Sequence, residues 1–170
     1  MAEKRSIGLA SLKIGDIAVD GGMGTSLAAV GVTYKDSCEL MQDDAEVTDI
    51  ECEENDDPVE SIEKLGKRTL KWSIMDYTPD TLVKVLGGTV TGEGTELDPK
   101  VWNAPTTSPS LEKSIELISK SGVKFKIPRA KIMAKLNAKV VKNGVALVDV
   151  TATILTPTKA NTSPIMISEE

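Results

Sequence analysis

Few side chains in this sequence have the types and spacing needed for chemistry. Histidine, the commonest general base near neutral pH and the commonest metal ligand, is absent. Two cysteines, Cys38 and Cys52, are too few for a disulfide scaffold or a four-cysteine zinc site, and they suggest a reducing compartment. Glu53 and Glu54 are adjacent carboxylates, but neighbours on a strand point to opposite faces, so they do not form an acid–base pair. Gly87, Gly88, Gly92 and Gly94 lack both the P-loop lysine and the dinucleotide-fingerprint spacing, and read instead as a helix cap and turns. From these residues no catalytic, cofactor or metal site is assigned.

Charge is the stronger signal. The segment from Asp43 to Glu63 holds eleven acids and no Lys or Arg, within a chain of net charge −6. Its candidate surface comprises Asp43, Asp44, Glu46, Asp49, Glu51, Glu53, Glu54, Asp56 and Asp57. Three readings apply: a negative wall that repels DNA phosphates, a docking surface, or a solvated guard on a strand edge. A calcium loop fits poorly, because the turn glycine and terminal bidentate Glu of an EF-hand are missing.

The segment from Lys120 to Lys142 is the opposite, with eight bases and no acids. Lys124, Lys126, Arg129, Lys131, Lys135 and Lys139 form a candidate basic surface between subunits, or else the wet face of alternating strands. Only five residues are aromatic, and the chain is acidic overall, which opposes a nucleic-acid groove built on stacking and phosphate neutralisation.

The elements that must carry these charges are mostly strands. An opening strand, loop and short element are expected between Ile7 and Val32. Alternation on either side of residues 43–46 predicts a hairpin from Ser37 to Glu53, with Leu40 facing Ile50 and Cys38 facing Cys52. Residues 67–76 alternate with Leu70, Trp72 and Ile74 on one face. Thr78 as N-cap, Pro79 at the first helical position and Gly87 as terminator predict a helix over 79–86.

Further strands are expected at 88–91, at 111–119, at 123–127 and after Pro128. A turn at Asn143-Gly144, with Gly144 at positive φ, then leads into a last strand from Val145 to Leu155. The aliphatic core should include Leu70, Ile74, Leu136 and Val150. Together these elements predict an all-β fold with one short helix, an antiparallel β-sandwich or barrel.

The order of elements resembles that of bacteriophage tail tube proteins, which are related to contractile-tail and type VI secretion tubes. The resemblance rests on residues 69–89, TLKWSIMDYTPDTLVKVLGGT, on IPRAK at 127–131 and Asn143-Gly144, and on VTATILTP at 150–157. The acidic stretch ECEENDDPV at 51–59 also fits it. It implies one β domain over residues 1–170, with a flexible N-terminal segment over about 1–35 and a C-terminal tail over about 158–170. Copies of such a subunit would form hexameric rings stacked as a hollow tube, through which DNA or effectors pass without specific binding. The family has no catalytic residues to transfer.

A virion-tail component made and assembled in the host cytoplasm is therefore expected, with other tail proteins as partners and no membrane. No apolar window approaches the roughly 20 residues of a membrane span, and Lys13 and Asp16 interrupt any signal-like start. The alternative is a β-sandwich module binding a ligand or carbohydrate, which exposed aromatics and a secretory signal would favour.

Overall fold

A computed structural model describes residues 5–169. Its strands are β1 (Leu9–Gly15), β2 (Leu27–Ala29), β3 (Glu39–Gln42), β4 (Glu46–Cys52), β5 (Asn55–Lys64) and β6 (Arg68–Ile74). Helix α1 (Pro79–Leu86) precedes β7 (Thr89–Thr91), β8 (Val101–Asn103), β9 (Leu111–Ser119), β10 (Val123–Asn137), β11 (Leu147–Ile154) and β12 (Met166–Glu169). The fold is all-β with one short helix, as the alternation predicts.

Eight strands form one antiparallel sheet in the order β2-β1-β9-β10-β11-β6-β3, with β12 added to β10. The residues following β2 cross to the opposite edge, where the Tyr34 amide donates to the Ser73 carbonyl and the Met75 amide to that of Val32. This crossing curls the sheet around its apolar face. Leu70, Trp72, Ile74, Ile115, Ile127, Ile132, Val148 and Val150 fill the interior, each almost wholly removed from water. Each such side chain contributes about 1.5–3 kcal/mol of transfer free energy. Leu12, Ile14 and Val30 join the same core, so the N-terminal segment supplies part of it.

The helix lies where the sequence places it, against β10 and the small β7–β8 sheet. Gly87 ends it at φ 72°, a conformation costly for any residue with a Cβ, and its carbonyl accepts from the Trp102 indole at 2.8 Å. At the other end Thr78 does not cap through its side chain. Its hydroxyl instead meets Asp76 and Thr81, while its carbonyl receives the Leu82 amide.

Four sequence expectations are corrected. Pro128 does not separate two strands: β10 runs through it, and the pairing with β9 shifts register between Ile127 and Ala130. A proline, having no amide hydrogen, is accommodated at such a bulge, and buried Ser114 donates to its carbonyl at 2.6 Å. The β10–β11 connection is longer than a tight turn, spanning 138–146, and Gly144 is not at positive φ. That length brings Leu136 opposite Val148 and Ala134 opposite Val150, which aligns the apolar faces. Leu136 itself is 50% exposed at the end of the strand and does not belong to the core.

The fourth correction concerns the expected 37–53 hairpin. Strand β3 pairs with β6, Leu40 opposite Leu70, while β4 pairs with β5. Cys38 packs on the core and Cys52 is exposed, both as free thiols rather than as cross-strand neighbours.

Candidate functional site

Strands β4 and β5 form a two-stranded sheet of their own. It leaves the main sheet beyond Gln42 and Arg68, where the Asp43 amide donates to the Lys67 carbonyl at 2.8 Å. The register runs from Glu46 opposite Lys64 through Thr48 opposite Ile62 to Cys52 opposite Asn55. Near the tip Glu51 alone faces Asp56–Val59, a bulge that accommodates Pro58. Alternation divides Thr48, Ile50, Glu60 and Ile62 from Val47, Asp49, Ser61 and Glu63, yet every residue of both strands is exposed. Val47, Ile50, Val59 and Ile62 remain 44–63% in water.

All nine candidate acids lie on this hairpin or in the bend leading to it. Asp43 and Asp44 precede β4; Glu46, Asp49 and Glu51 lie along it; Glu53 and Glu54 form the tip turn; Asp56 and Asp57 open β5. Among the described residues its only ion pair is Lys64–Glu46 at 3.9 Å, fully in solvent and energetically slight. The acids are spread along the strands, and among the described residues no cluster of potential ligands is arranged to hold a metal ion.

Lys131 is exposed on β10 opposite Glu112, and the other five basic candidates separate into three groups. Lys124 and Lys126 are half-buried on β10 opposite Ser168 and Met166 of β12. Arg129 is engaged within the subunit: it donates to both Glu112 carboxylate oxygens, at 2.8 and 3.1 Å, and to the Thr156 carbonyl. Hydrogen bonding from Arg129 holds the Glu112 carboxyl below its ordinary range, with Lys131 adding a smaller effect. Lys135 and Lys139, joined by Lys142, are exposed at the β10–β11 connection and have no ion-pair partner among the described residues. Around them Leu136, Val140, Val141 and Val145 are 46–93% exposed.

These two surfaces lie at opposite ends of the strands. Arg68 is level with the Ala130–Ile154 end of the β10–β11 ladder, whereas the lysine-bearing connection begins beyond Asn137 and Leu147. Seven residues of rise separate the levels by about 23 Å. Composition reveals both charges; only the register shows that they point apart. Sequence reasoning also missed β5, whose isolated Val59 and Ile62 give little periodic signal.

One further feature is a groove of about 870 Å³ inside the curled sheet, bordered by Leu9, Tyr34, Cys38, Leu40, Leu70 and Phe125. Burial there pushes the Cys38 thiol up to about 11. No helix of the described residues is long and apolar enough to cross a membrane. A scan against protein-family models and a search of curated proteins found no match. The fold defines an all-β protein, and its exposed surfaces carry the functional argument.

Proposed function

We propose that this chain is a structural subunit that assembles with copies of itself into rings stacked as a tube, of the kind its sequence resembles in phage tails. The observation carrying this reading is the β4–β5 hairpin. An isolated two-stranded sheet is marginal in water, and this one exposes four β-branched apolar side chains on faces that none of the described residues covers. Such an element gains its packing from another molecule. The curled sheet supplies a rigid body for a ring, and the passage of DNA or effectors through its lumen follows from the tube reading.

Negative-stain images of concentrated protein, with sedimentation velocity, test the proposal. Rings or tubes of regular diameter support it; a monomer at every concentration and salt refutes it. A second reading, a ligand-binding module, draws on the apolar groove beside Tyr34 and Phe125. Saturable binding of a small apolar ligand or oligosaccharide by a protein that remains monomeric would favour that module.

A further inference from the structure

The two charged ends also both carry exposed apolar side chains, and this correspondence identifies how one copy meets the next. Among the described residues, half of the large hydrophobic side chains left exposed belong to just two regions. One is the hairpin and the residue that follows it, with Val47, Ile50, Val59, Ile62 and Leu65; the other is the latter half of β10 with the β10–β11 connection, carrying Met133, Leu136, Val140, Val141 and Val145. The first group is interleaved with acids, and the second with Lys135, Lys139 and Lys142. A surface that mixes exposed apolar side chains with a predominance of one charge is suited to a partner of the opposite sign.

We infer that the acidic β4–β5 hairpin of one copy docks on the lysine-bearing β10–β11 connection of a second copy. This inference rests on the self-assembly reading and specifies its axial contact. Because the hairpin leaves β3 and β6 at one end of the sheet and the connection joins β10 and β11 at the other, a subunit does not satisfy both within itself. Each copy joined at one end presents the other end unfilled, which is a head-to-tail contact that propagates rather than closes. The hairpin then gains the cover it lacks, and the exposed valines of the connection leave water in the same step.

The charge pattern also narrows the basic surface suggested by sequence. Arg129 is held by Glu112, Lys131 stands opposite the same residue and Lys135 stands opposite Asp149, so Lys139 and Lys142 on the connection itself carry the contact, with Lys135 at its edge.

The test uses two full-length variants. In one, Lys135→Glu, Lys139→Glu and Lys142→Glu make both ends acidic; in the other, Glu51→Lys, Glu53→Lys and Glu54→Lys reverse the hairpin. Each alone should need about 10- to 100-fold more protein to stack, because attraction becomes repulsion at several exposed pairs. An equimolar mixture should stack again, with the variants alternating. Near-ultraviolet dichroism of Trp72 and Trp102 verifies that each variant is folded. A third variant, Asn143→Cys, should cross-link through exposed Cys52 into ladders spanning many copies when treated with a short bis-maleimide.

Stacking of both single variants at wild-type concentrations, or a folded mixture that fails to stack while wild type does so, overturns the docking contact and leaves the tube reading intact. Tubes of the hairpin variant that form normally but retain DNA also overturn it, placing the acids on the lumen. Failure of wild type to form any ring refutes the self-assembly reading itself.

Discussion

Removing the hairpin should leave the subunit folded while abolishing its stacking. The Asp43 amide already bonds to Lys67, and Gly66 lies so close to Asp43 that an added Cβ would stand 1.9 Å from its carbonyl oxygen. The ends of the excised segment are thus adjacent, and Asn-Gly can replace residues 45–65 as a two-residue turn. No residue of β4 or β5 is buried, so the deletion removes no core contact. Closing a loop of two residues instead of twenty-one lowers the closure cost by (3/2)RT ln 10.5, or about 2 kcal/mol. The hairpin's own pairing offsets part of that gain, so stability should rise by about 0–2 kcal/mol. Chemical denaturation measures the change, and electron microscopy the assembly. A loss of more than about 2 kcal/mol would show that the hairpin supports the core, and unaltered stacking would refute its role as a docking element.

Other expectations follow from particular side chains. Ile132→Ala, in the packed interior, should cost about 2–5 kcal/mol, whereas Leu136→Ala, half in solvent, should cost under about 1 kcal/mol; paired urea titrations compare them. Glu112 has a depressed carboxyl pKa when folded, so its bond to Arg129 contributes stability above the ordinary Glu value that is lost as pH falls through the depressed one. Glu112→Gln should therefore lower stability slightly near pH 7 and shrink the further loss that the wild type shows as pH falls below the ordinary Glu value, measured by denaturation at each pH. Cys52 should react with a thiol reagent at once at neutral pH, whereas Cys38, with its thiol raised by burial, should react only on opening of the fold; two phases in a reagent titration check this.

How far the structure could be read from sequence depended on whether an element packs against the core. Leu70, Trp72 and Ile74 announce β6 because one face is buried, and Pro79 with Gly87 bounds the helix by backbone conformation alone. The alternation around Leu40 was equally real, but its partner is Leu70, thirty residues away, and not Ile50. Period-two patterning tells which face is apolar without saying which strand lies beside it. Hairpin β4–β5 was harder still, since neither face is buried and its valines and isoleucines obey no core-facing rhythm. For the candidate surfaces, charge was legible and direction was not: Arg129 looks like any other base of its segment until Glu112 is placed beside it.

The separation of charge along the strands has a consequence before any contact forms. With carboxylates concentrated on the hairpin and lysines at the far connection, the subunit is a permanent dipole whose long arm follows the sheet. A second copy entering that field experiences a torque that turns its lysine end toward the hairpin while the two are still separated by water. The torque acts over roughly a Debye length, about 30 Å in 0.01 M salt and about 8 Å in physiological salt. Ionic strength therefore controls how often collisions arrive already aligned, as a rate effect distinct from the strength of the final contact.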